Sequence, residues 1–224
     1  MAENSLGFGN KNAEASAQLF KDALLVERLR QGEADAFEEL LRSYEDSVYS
    51  LVYRLLNQHA DAPDVVQEVF LKVYRNLNHF QGKSTLKTWI YRIAVNEAYN
   101  HRRWFSRHKK NDVSLAAEDD DCRGLIDILP DRCRSPFDMT ADHETRALVE
   151  DALTRINPVF RSAVVLRDIE DLNYDEIAEV LQISMGTVKS RILRGREALR
   201  VQLAAKLEPN QGFAWSAQTA AGRS

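Results

Sequence analysis

Between Leu172 and Arg200 the chain reads LNYDEIAEVLQISMGTVKSRILRGREALR, a pattern of two short helices around a tight turn, the second of them basic. Asn173 is placed to cap the first helix, and Glu176 three residues on can reach back in a capping box. Ile177, Ala178 and Leu181 supply its apolar stripe. Gln182 and Ile183 form the turn. Ser184 caps the second helix, where Val188, Ile192, Gly195 and Leu199 share one face. Ser190, Leu193, Arg194 and Glu197 then look outward, with Lys189 and Arg196 on a flank. An outward leucine beside cations suits a groove better than water, and free N–H groups at a helix start together with cations attract phosphates. A basic amphipathic helix alone fits a solvated face equally well. The capped helix before it turns the reading toward a DNA-binding helix-turn-helix.

The net charge of −4 over 224 residues would argue against nucleic acid if it were spread evenly. It is not. From Lys83 to Lys110 eight cations (Lys83, Lys87, Arg92, Arg102, Arg103, Arg107, Lys109, Lys110) face Glu97 alone, whereas from Asp112 to Glu144 ten acids meet only Arg123, Arg132 and Arg134. Two basic modules thus flank an acidic connector. With 44% apolar and 29% charged residues, the length suits two modest soluble domains. No apolar run spans a bilayer, and MAENSLGFGNKNAEAS has no signal core, so no membrane insertion and a cytoplasmic location are expected.

Chemistry-bearing patterns are missing. Cys122 and Cys133 lie in the connector without CxxC spacing, which reads as two reduced thiols. The five histidines show no metal spacing, and His143-Glu144 lacks the second histidine of a zinc-peptidase helix. No phosphate loop, dinucleotide fingerprint or nucleophile elbow occurs. Neither a catalytic constellation nor a metal or other cofactor is expected.

Read in order, residues 1–16 are polar and expected to be disordered. A helix follows from Ala17, with Leu19, Phe20, Ala23, Leu24 and Leu29 in periodic positions, until Gly32. A second runs from Asp35 through Phe37, Leu40, Leu41, Tyr44, Val48, Leu51, Val52 and Leu55. Pro63, between Asp61 and Asp64, opens a third whose inner face is Val65, Val66, Val69, Phe70, Val73 and Leu77, with Asp64, Gln67, Glu68, Leu71 and Arg75 opposite. After the loop Asn78 to Ser84, a helix from Thr85 to about Phe105 has Leu86, Trp89, Ile90, Ile93 and Ala94 as its core stripe. Outside it lie Tyr91, Arg92, Asn96, Tyr99, Asn100, Arg102 and Arg103, the mixture of rings, amides and guanidinium groups with which proteins hold single strands. Tyr91 and Tyr99 fit either packing or base stacking. The loop with Phe80, Gly82 and Ser84 fits either a plain connection or a seat for a flipped base.

DAPDVVQEVFLKVYRNL, FQGKSTLKTWIYRIAVNEAYN and LNYDEIAEVLQISMGTVKSRILRGREAL resemble regions two and four of bacterial RNA polymerase sigma factors of the extracytoplasmic-function (ECF) type. The resemblance spans roughly Leu25 to Ala205 apart from the connector. It implies an all-α chain of two small helical domains joined by a flexible acidic linker. The expected bounds are 1–16 for an N-terminal extension, 17–106 for region two, 107–143 for the linker, 144–207 for region four and 208–224 for a disordered tail.

The resemblance also implies roles. Region two would bind the β′ clamp helices of core RNA polymerase through Asp64, Gln67, Glu68 and Leu71. It would recognise and open the minus-ten element with Phe80, Gln81, Gly82, Lys83, Ser84, Thr85, Tyr91, Arg92, Asn96 and Asn100. Region four would meet the β flap and read the minus-thirty-five element with Gly186, Thr187, Lys189, Ser190, Arg191, Leu193, Arg194 and Arg196. An anti-sigma factor and a stress signal are implied as controls, and the subunit itself would be non-catalytic. A conventional regulator that never joins polymerase would leave the Gln67 and Glu68 face idle. An enzyme fused to a DNA reader would lack its catalytic residues.

Overall fold

The structure, a computed structural model, describes residues 7–108 and 136–207. All regular structure there is helical: α1 (Gly7–Arg30), α2 (Ala34–Leu55), α3 (Ala62–Asn76), α4 (Leu86–His108), α5 (Pro136–Arg155), α6 (Pro158–Val164), α7 (Tyr174–Leu181) and α8 (Met185–Leu207). Three single turns fill gaps, 3-10 at His59–Asp61 and Leu77–His79, and π at Val165–Ile169, where α6 runs on toward α7. None of these helices is long and apolar enough to cross a membrane.

The first domain packs α2, α3 and α4 around Leu40, Val48, Leu51, Val52 and Leu55 from α2, Val65, Val66, Val69, Phe70 and Val73 from α3, and Leu86, Trp89, Ile90 and Ala94 from α4. Those are the expected stripes, except that Ile93 is half-buried while Tyr91, Val95 and Ala98 are also covered. The reason is a second contact surface: α4 packs on α7 as well as on α2 and α3.

α1 departs from expectation twice. It begins at Gly7, ten residues before the expected start, with Lys11, Ala13, Glu14 and Ala15 the strong helix formers of the added stretch. Its buried stripe is Asp22, Leu25, Val26 and Leu29, while Leu19, Phe20 and Leu24 stay exposed. An acid occupies one position of the i, i+3, i+4, i+7 pattern, and that shifted the apparent apolar phase.

In the second domain, α5 begins at Pro136, inside the expected linker, with proline at the first helical position where its missing N–H costs nothing. Asn157 caps α6 by accepting from Val159 N at 2.9 Å. The expected box at α7 is formed: Asn173 accepts from Glu176 N at 2.9 Å, and Glu176 accepts from Asn173 N at 2.8 Å. Gln182 turns the chain in the left-handed conformation (φ 53, ψ 49), and Ile183 N closes back on Ala178 O at 3.1 Å. Gly195 sits in the contact between α6 and α8, so close that a Cβ there would lie 2.4 Å from a methyl of Val164 and 3.0 Å from the Phe160 carbonyl oxygen.

The two domains are folded onto one another and share one apolar cluster. Arg161, only 1% exposed, donates from Nη1 to the carbonyls of Leu55 (3.2 Å) and Leu56 (3.3 Å) and to Asn57 Oδ1 (2.9 Å) at the end of α2. Its Nη2 bonds Thr154 O and Ile156 O within its own domain. Burial, with Arg102 close by, lowers this guanidinium to about 10. The acidic run 109–135, Cys122, Cys133 and the tail 208–224 lie outside the described residues.

Candidate nucleic-acid interface

α8 is set by its cap and by one packed side. Ser184 Oγ accepts from Thr187 N at 3.3 Å, while Val188, Ile192 and Gly195 are buried against the rest of the domain. That leaves Lys189, Ser190, Leu193 and Arg194 on the outside, Leu193 being 71% exposed. Gly186 is exposed at the helix start, and Thr187 and Arg191 are half-covered. Among the described residues neither Lys189 nor Arg194 has an acidic partner. Arg196 does: its Nε donates to Asp168 Oδ2 at 2.9 Å and its Nη2 to Oδ1, which raises its pKa. This fork-to-fork pair ties Arg196 to its own domain in this structure, through a partner 28 residues away that the helical wheel could not show.

On the other domain, Asp64, Gln67 and Leu71 of α3 are exposed and Glu68 is half-covered, in one row along the helix. Beside them runs a groove of roughly 290 Å³ lined by Asp64, Val65 and Glu68 from α3 and by Glu97, Asn100, His101 and Trp104 from α4. Lys72 bridges its edge, 2.6 Å from Glu97 and 3.9 Å from Glu68. Asn100, expected with the minus-ten residues, therefore lies with the α3 surface, and its amide donates to Glu97 Oε1 at 3.3 Å. Asn96 is exposed on α4, and Arg92 is half-buried.

The loop before α4 exposes Gln81, Gly82 and Lys83, with Ser84 and Thr85 partly covered. Gly82 has φ +66, a conformation that glycine adopts without strain. Thr85 Oγ1 accepts from Thr88 N at 3.2 Å and so caps α4. Phe80 is not an open seat: it is 6% exposed, its ring centroid 5.3 Å from that of Trp89, and it anchors the loop into the core.

Tyr91 differs most from the expected outward placement. It is fully buried, its hydroxyl donating to Glu170 Oε2 at 2.6 Å, while Ser50 Oγ donates to Oε1 of the same carboxylate at 3.2 Å. Lys87 Nζ reaches the Glu170 carbonyl at 3.3 Å and lies 5.2 Å over the Tyr91 ring. Burial first, then the Glu170 carboxylate, raises the Tyr91 phenol, keeping it a donor. Tyr99 likewise donates to Ser162 Oγ at 2.7 Å. Both tyrosines are covered by the helix-turn-helix domain, so in this arrangement no base can stack on Tyr91. Periodicity within α4 cannot report a face that a distant domain covers.

Residues that spacing did not single out complete the picture. Asp22 accepts from Leu86 N at 2.7 Å and from Gln18 Nε2 at 2.8 Å, and Arg30 Nη2 donates to Phe80 O at 2.7 Å and to Leu77 O at 3.3 Å. Glu170 and Arg161 join the domains. For Asp22 a signal existed, an acid at a stripe position, three and four residues before Leu25 and Val26; for the other three, partners that matter here lie 47 or more residues away.

Residues 40–107 match the Sigma-70 region 2 family, and residues 146–199 match Sigma-70, region 4. The ECF RNA polymerase sigma-E factor of Haemophilus influenzae is 37% identical over 183 residues, covering 82% of this chain and 95% of the relative. The RNA polymerase sigma-H factor of Pseudomonas aeruginosa is 38% identical over 179 residues, with 80% and 92% covered. The fold is shared with CnrH, solved in complex with the cytosolic domain of CnrY, at a TM-score of 0.58 and 22% identity, covering 85% of this chain and 99% of that one. It is also shared with the sigma factor RpoE of Bartonella quintana, solved with the anti-sigma factor NepR, at 0.56 and 23%, with 75% and 96% covered. With both regions matched and more than a third of positions identical along most of its length, the chain belongs to the ECF family of RNA polymerase sigma factors.

Proposed function

We propose that this sigma factor joins core RNA polymerase through the α3 row Asp64, Gln67, Glu68 and Leu71, reads the minus-ten element with the exposed loop Gln81 to Lys83, and reads the upstream element with the outer face of α8. It acts as a non-catalytic specificity subunit, in the cytoplasm where polymerase works. The division of α8 carries the reading: Lys189, Ser190, Leu193 and Arg194 stand clear of a helix whose opposite side is locked by Val188, Ile192 and Gly195. A merely solvated face has no use for an outward leucine between cations. Because the folded-together domains cover Tyr91, this residue becomes available to DNA only when they part. A protein that stabilises the joined form would act as an antagonist, and an anti-sigma factor is the partner of that kind supported by the complex of the fold relative RpoE with NepR. Adding the purified protein to core polymerase tests the function directly: initiation from a selected promoter is expected, and its failure removes the reading.

Two substitution series refine it. Glu68→Lys reverses charge on a partly exposed position beside Lys72, so the fold should persist while affinity for core polymerase falls about tenfold, the scale of one lost charge contact. Co-elution with core at wild-type affinity would move the docking surface elsewhere. Arg194→Ala should cost about 1–3 kcal/mol at one or two upstream base pairs if it reads a base edge. Lys189→Ala should instead weaken all promoters alike and reduce the salt dependence. Equal losses for Arg194→Ala on every upstream sequence would make it a backbone contact.

A further inference from the structure

α1 lies outside both matched regions, yet it holds the minus-ten loop at its two ends. At the exit, the Asp22 carboxylate accepts the N–H of Leu86, the first residue of α4, at 2.7 Å; it is 3% exposed and steadied by Gln18 at 2.8 Å. At the entry, Arg30 donates to the carbonyls of Phe80 (2.7 Å) and Leu77 (3.3 Å) as the chain leaves a 3-10 turn. Each charge matches the backbone end it meets: an anion on the N–H end of a helix, a cation on the carbonyl end of a turn. The two residues are eight apart, about 12 Å along the helix axis at 1.5 Å per residue, so one rigid rod spans the mouth of the loop.

Between these two fixed points Gln81, Gly82 and Lys83 are exposed, and Gly82 adopts φ +66. The span between the ends limits the conformations open to this stretch. Thr85 already caps α4 through Thr88 N, so Asp22 is a second cap on the same terminus, brought from 64 residues away. An apolar residue at position 22 would have filled the stripe with Leu25, Val26 and Leu29 without burying a carboxylate. The acid is explained by the backbone atom it fixes.

We propose that α1 is the frame that sets the shape of the promoter-reading loop, with Asp22 and Arg30 as positioning residues for minus-ten selection. This rests on the reading of Gln81 to Lys83 as the minus-ten contact. Holoenzyme assembled from core polymerase and the full chain is presented with a promoter library randomised at both elements, and opening is followed by permanganate reactivity of unpaired thymines. Asp22→Ala and Arg30→Ala should each lower opening on the wild-type selected promoters on the order of tenfold, the factor that losing a hydrogen bond to a charged group corresponds to. They should broaden the minus-ten sequences recovered and leave the upstream preference and the affinity for core unchanged. Asp22→Asn, which keeps an acceptor, and Arg30→Lys, which keeps a cation, should restore most of the selectivity. If Asp22→Ala does not fold, Arg30→Ala and Asp22→Asn still carry the test. Unaltered minus-ten selection in the α1 variants, alongside altered selection in Gln81→Ala or Lys83→Ala, overturns the frame alone. Silence in the loop variants removes the loop reading and the frame with it. Equal loss of upstream selection or of core affinity would show a general defect of the domain and also overturn the proposal.

Discussion

Gly195→Leu should unfold the helix-turn-helix domain at temperatures where the wild type is intact, with a loss of about 4 kcal/mol, at the upper end of what one substitution does. The first carbon added already lies 2.4 Å from a methyl of Val164 and 3.0 Å from the backbone oxygen of Phe160. Val164 is 2% exposed, so its methyl cannot swing out to solvent, and the Phe160 carbonyl belongs to the frame of α6. Gly195→Ala separates two opposing effects. Alanine gains about 1 kcal/mol of helix propensity in the middle of α8, while overpacking costs about 1–3 kcal/mol, so a net loss of about 1 kcal/mol is expected. Leucine adds three more carbons in the same wedge and forces α6 and α8 apart. As α8 carries the outward row Lys189 to Arg194, upstream DNA binding should disappear with the fold. Thermal unfolding followed by circular dichroism decides it: a melting temperature for Gly195→Leu within a degree of wild type would show that the close approach is not real.

How much of this could be read in advance depends on the distance over which each residue acts. The box at Asn173 and Glu176, the turn at Gln182 and the stripe Val188, Ile192 and Gly195 were legible, because caps and helix faces are set by neighbours within four residues. The same holds for the exposed row on α3. Tyr91 was not legible, since its burial comes from Glu170, 79 residues on, and no period within α4 encodes a second domain lying over it. The ion pair of Arg196 was hidden for the same reason, its partner Asp168 lying 28 residues away. The stripe of α1 was misread at one position: Asp22 carries a charge into the core, and a search for apolar periodicity moves off phase at the residue that ties α1 to α4. Charge contrast along the chain set the basic segment Lys83–Lys110 apart from the acidic run after it, but it could not show that the two domains fold onto each other.

Arg161→Ala should be the most damaging change between the domains, lowering the stability of their joined form by about 3 kcal/mol. The guanidinium supplies donors to Leu55 O, Leu56 O and Asn57 Oδ1 on one domain and to Thr154 O and Ile156 O on the other. Alanine leaves these acceptors facing a cavity. Charge-assisted bonds are worth about 1.5–3 kcal/mol each, but they cannot be summed here. Burial opposes the charge, no carboxylate among the described residues pairs with it, and Arg102 repels it, as the fall to about 10 records. The net loss is therefore far below the sum. Lysine should rescue little, because a single ammonium cannot span two sets of carbonyls as a planar fork does. The acceptors divide between the domains, so the loss should appear first as separation and only later as unfolding. In small-angle scattering the radius of gyration of Arg161→Ala should rise at a denaturant concentration where helicity is still at its native value. Coincident loss of compactness and helicity, at the wild-type midpoint, would mean that Arg161 does not hold the domains together.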